Sequence, residues 1–124
     1  MIQLGEKISV VLISQVKHVY KSTFELVNGA SFDDYKALSV IQFSQEPDRS
    51  ASGLRYVQNI KAIISGTNST MKFNNQKTLI KIPLTDGRSM VIGDIETPVL
   101  VTITPAENCF IMECKRFTLI PAEF

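Results

Sequence analysis

The chain has 124 residues, 44% of them hydrophobic and 20% charged, which is one domain's length and the mix of a folded, soluble protein. Thirteen Lys and Arg against twelve Asp and Glu leave a net charge of +1, so no global field draws the protein to nucleic acid or to an anionic membrane. A disordered tail and a histone-like binder are excluded, and so is a membrane helix, because no window approaches the roughly 20 apolar residues it needs.

Fourteen Ile, ten Val, nine Thr, seven Phe and three Tyr outweigh six Ala and nine Leu. Branched and aromatic side chains pack well on a pleated surface and lose rotamer freedom in a helix, so the composition selects sheet. The N-terminal Met1-Ile2-Gln3-Leu4-Gly5-Glu6-Lys7 has no basic run leading into a long apolar stretch, so no signal peptide is expected.

From Lys7 to Val16 both faces are apolar, with Ile8, Val10, Leu12 and Val16 on one and Val11 and Ile13 on the other. This predicts a central strand covered on both sides. The run continues to Val27 with a bend near Gln15–His18, and Asn28-Gly29 predicts a two-residue hairpin turn. Ser31 to Lys36 is the one segment that could open a helix, with Ser31 as cap and Asp33 and Asp34 at its positive end. Ala37 to Gln45 alternates as a strand, and Glu46 to Gly53 is a loop by composition. Leu54 to Ile64 is the longest strand, with Leu54, Tyr56, Ile60, Ala62 and Ile64 facing one way. Ser65 to Thr70 is a polar loop. Thr78 to Leu84 alternates up to Pro83, which suits an edge or a strand end, and Asp86-Gly87 is the strongest hairpin signal. Val99 to Thr104 and Cys109 to Ile120 complete the set, separated by a turn at Pro105–Asn108. About seven to eight strands, at most one short helix, and no linker or repeat predict one all-β domain over residues 1–124, an antiparallel sandwich or small barrel.

Residues that could carry chemistry are few. His18 is the single histidine, expected as a partly buried strand residue. It has no nucleophile elbow with it, and no set of ligands for zinc. Cys109 and Cys114 are five apart, which puts them on opposite faces of a strand and too far apart to bridge. Asp33-Asp34 lacks the spacing of a calcium loop. The glycines are scattered singly and cradle no phosphate, and Asn68-Ser69-Thr70 matches a glycosylation pattern only by chance. No cofactor, no metal and no enzymatic activity are expected. Arg49, Arg55 and Arg88 are the candidates for subunit contacts, since arginine paired with a carboxylate is common where subunits meet. An oligonucleotide-binding barrel would want a basic, aromatic face. Here Tyr56 has the opposite parity to Arg55 and Lys61, and there is no Trp.

Phe43-Ser44-Gln45-Glu46-Pro47-Asp48-Arg49 leads through a polar loop to Gly53-Leu54-Arg55-Tyr56-Val57-Gln58-Asn59-Ile60. The hairpin Lys81 to Arg88 and the final strand ending Phe117-Thr118-Leu119-Ile120-Pro121 follow. Together these segments resemble the small all-β neck and tail proteins of tailed bacteriophages and prophages. The resemblance implies a structural protein that self-associates into a ring or tube and docks to other assembly proteins, in a virion or the cytoplasm. It assigns no residue a role. The alternative is a monomeric β-sandwich module that binds glycan or peptide. Neither reading calls for a membrane or a specific nucleic acid.

Overall fold

The computed structural model describes residues 6–20, 23–50 and 53–118. Among them the protein is all-β: β1 (Lys7–Leu12), β2 (Val16–Tyr20), β3 (Thr23–Leu26), β4 (Asp33–Lys36), β5 (Gln42–Ser50), β6 (Gly53–Ile64), β7 (Gln76–Pro83), β8 (Ser89–Ile92), β9 (Val99–Ala106) and β10 (Cys109–Thr118). Two short 3₁₀ segments, Ile13–Gln15 and Asn68–Phe73, are the helical elements. The side chain of Leu54 and the expected continuation of the last strand to Ile120 lie outside the described residues.

Eight strands form one antiparallel sheet in the order β4-β1-β7-β9-β10-β6-β5, with β8 also paired to β7. The sheet folds over where Thr78 of β7 pairs with both Leu12 and Val99. Its far corner closes where Ala37 bridges Ile64 and Leu38 N–H donates to the Ile63 carbonyl at 2.7 Å. The result is sandwich-like. A layer of β4, β1, β7 and β8 faces a layer of β9, β10, β6 and β5 across one core. Ile8, Val10, Ile80, Ile82 and Ile92 of the first layer meet Ile60, Ile64, Val101, Ile103 and Met112 of the second, all buried. The strict alternation of Val99, Val101 and Ile103 with Leu100, Thr102 and Thr104 is the period-2 signature of a strand with one face in that core.

The two outer faces differ. A separate hairpin of β2 and β3 folds over the first layer and buries Val11, Val16 and Leu79, with Phe24, Phe32 and Val91 packed against them. This accounts for the doubly apolar first strand, whose residues 8 to 11 are all buried. The expected bend falls at Ile13–Gln15, followed by a bulge between Val16 and His18. No described element covers the outer face of the second layer.

Several local expectations change. The strand expected from Ala37 begins only at Gln42, with Ala37 itself making a single bridge to Ile64. Asp33–Lys36 is a strand, not a helix start: Asp34 lies opposite Ser9 in register and accepts from its hydroxyl at 2.5 Å. A segment this short gains too little from helix formation to compete with that pairing. Glu46–Ser50 extends β5 rather than forming a loop, because an edge strand tolerates proline and charge. Asn28-Gly29 does turn, with Ala30 N–H donating to the Val27 carbonyl at 2.9 Å, but its flanking strands pair elsewhere. Asn68–Phe73, within and after the expected polar loop, is a 3₁₀ segment docked on the β4 side. Phe73 is buried there beside the Tyr35 ring, and Lys72 pairs with Asp33.

Candidate interaction surface

The uncovered outer face of the second layer is built from four strands in register. One cross-strand row is Gln42, Lys61, Glu113 and Thr102. The next is Ser44, Asn59, Lys115 and Leu100, extended by Lys77 of β7. Ile63 with Ile111 lies on one side of these rows, and Val57 with Phe117 on the other. Leu100 and Phe117 are 45% and 41% exposed, unusual for large apolar residues. Between the rows lies a shallow hollow of about 470 Å³ that includes Lys61, Leu100, Glu113 and Lys115 in its lining.

β5 forms the open edge of this layer. It pairs with β6 along its whole length, from Gln42 opposite Lys61 to Ser50 opposite Gly53, and with no other strand among the described residues. An edge of nine residues offers backbone donors and acceptors to a neighbouring chain.

The three candidate arginines occupy two places. Arg49 and Arg55 are on the β5–β6 hairpin toward its turn. Arg55 Nε donates to Asp48 Oδ2 at 2.9 Å, and its guanidinium lies 4.1 Å from the centre of the Phe117 ring. Arg88 is in the β7–β8 turn, where its Nε donates to Asp86 Oδ2 at 2.7 Å and its backbone N–H to Oδ1 at 3.0 Å. Those two bonds hold the Asp86 carboxyl below its ordinary value, the backbone bond contributing most. Arg55 and Arg88 thus each hold a carboxylate of their own hairpin, and Arg49 is exposed.

A polar cluster went unnoticed in the sequence. Gln58 shares the inward parity of Ile60 and is 1% exposed. It accepts from Arg116 Nη1 at 3.0 Å and donates to Gln45 Oε1 at 2.7 Å. Arg116 also donates to the Thr97 carbonyl and hydroxyl, each at 2.8 Å, and approaches Asp94 at 3.5 Å. Burial lowers the Arg116 pKa, partly offset by Asp94. The signal was a glutamine at a core parity position in an apolar strand.

His18 is exposed rather than partly buried. Its hairpin turns one side to solvent, and there Nε2 meets Glu25 Oε2 at 2.8 Å. Cys109 and Cys114 are both free. Burial, with a smaller contribution from Glu113, pushes the Cys114 thiol up to about 12, so this sulfur is no nucleophile at neutral pH. Among the described residues no three His, Cys, Asp or Glu side chains are grouped to hold a metal ion. No described helix is long and apolar enough to cross a membrane. No family model matches the chain, and neither a curated protein nor a solved structure matches it.

Proposed function

We propose that the protein is a structural subunit that self-associates into a ring or tube of a phage or phage-derived tail or neck assembly and docks to neighbouring subunits there. The observation that carries self-association is the bare outer layer with its nine-residue open edge, β5, against a first layer already capped by a hairpin. Edge strands and exposed apolar rows are costly to leave bare and are used to add a neighbour. The assembly class comes from the sequence resemblance. A monomeric glycan- or peptide-binding module is the second reading, favoured by the mixed polar and apolar lining of the hollow.

Light scattering on a sizing column over a concentration series tests this, with negative-stain microscopy. Oligomers and rings are expected. A strict monomer at high concentration that takes up a saturable glycan or peptide supports the second reading instead. Arg49→Ala and Arg55→Ala should shift the oligomer distribution while costing about 1 kcal/mol or less of stability, since the Arg55–Asp48 pair is 42% and 41% exposed.

A further inference from the structure

β6 and β10 are the two middle strands of the bare layer, and their outward-facing residues pair one to one. Ile63 is opposite Ile111, Lys61 opposite Glu113, Asn59 opposite Lys115, and Val57 opposite Phe117. Apolar pairs therefore bracket one acid–base pair. Lys61 and Glu113 are both exposed, and neither has an ion-pair partner among the described residues, although they are direct neighbours in register. Lys115 differs, because its ammonium lies 5.5 Å from the centre of the Phe117 ring.

We infer that this face binds a second copy of the chain through a two-fold contact whose axis runs between β6 and β10. The inference rests on the self-association reading and names the contact. Such an axis lays β6 of each copy over β10 of the other. Lys61 of each copy then meets Glu113 of its partner, twice over. Ile63 meets Ile111, Val57 meets Phe117, and on the flanks Gln42 meets Thr102 and Ser44 meets Leu100. The apolar and charged pairs of the two central strands are matched, and no like charges coincide. A slip of one row would set Lys61 on Lys115, which fixes the alignment. Facing sheets pack with their strands nearly aligned, so the geometry is an ordinary one. The Lys61 and Glu113 side chains enter the partner's hollow. The contact is isologous and closes at two copies. The backbone edge of β5 stays outside this contact and remains available to a further neighbour.

Charge reversal tests the contact. Sedimentation equilibrium on the full chain should show Lys61→Glu and Glu113→Lys each weakening the two-fold association by about tenfold or more, because like charges then face each other twice. The double variant should recover wild-type association, and the two single variants mixed together should form a heterodimer. Circular dichroism confirms folding, and Lys61→Gln with Glu113→Gln gives a milder loss should a reversal fail to fold. A double variant as weak as the singles overturns the contact. So does sensitivity to Lys115→Glu with indifference to Lys61→Glu, which would mark a two-fold axis across the strands instead. A wild-type chain that never associates removes the self-association reading as well. One that associates regardless of these charges removes only the contact.

Discussion

Asp34 shows how a single residue changes meaning with its partners. Beside Asp33 it suits the positive first turn of a helix capped by Ser31, yet in β4 it receives the Ser9 hydroxyl at 2.5 Å and Lys7 Nζ at 3.3 Å. The Ser9 bond, aided by Lys7 and Lys81, holds its carboxyl below the ordinary 3.8. A pKa depressed in the folded state contributes stability that is present above the unfolded value and lost as pH falls through the folded one. Asp34→Asn should therefore be less stable than wild type at neutral pH. The gap should begin to narrow as pH falls below about 4, the ordinary carboxyl value, and close only once pH has dropped through the lower folded-state value. Urea unfolding at several pH values measures it, and a gap independent of pH would exclude the carboxylate as the source. Gln58 is a second case. Its parity was readable, but the Arg116 that satisfies it lies 58 residues away and becomes visible only in the fold.

At the scale of elements, the turns were the most legible part. Asp86-Gly87 forms the expected hairpin, with Gly87 at φ 91° and Leu84 N–H donating to the Arg88 carbonyl at 2.7 Å. Gly93, after β8, has a similar φ of 111° but sits buried. A Cβ there would meet Val99 Cγ2 at 3.2 Å and the Thr78 carbonyl oxygen at 3.3 Å, whereas one at Gly87 meets nothing within 4 Å. Gly87→Ala should cost about 1 kcal/mol for its backbone alone, and Gly93→Ala about 2–3 kcal/mol for backbone and crowding together. Denaturant midpoints give the comparison, and equal costs would show that the neighbours yield. β5 was the element least readable from sequence. Its proline and charges imitate a loop, and its place at the edge of the described sheet makes them tolerable.

For the whole molecule, the seam between the layers is the point to test. Arg116 of β10 holds the Asp94–Thr97 connection, which follows β8, against β6. Its side chain is 12% exposed. Arg116→Met keeps the stem and removes the donors, leaving the buried Gln58 oxygen and the half-buried Thr97 oxygens without them. A loss of about 2–3 kcal/mol in urea unfolding is expected. A loss under about 0.5 kcal/mol would place this residue with ordinary surface positions. The sequence by itself determined the all-β class, the inward parity of β6, the main turns and the free cysteines. Those follow from side-chain shape and a two-residue period, which are local properties. The tertiary structure decided that a hairpin shields one layer, that the other is bare, and that Lys61 stands beside Glu113. Which strands become neighbours depends on burial summed over the whole chain, and no local pattern carries that sum.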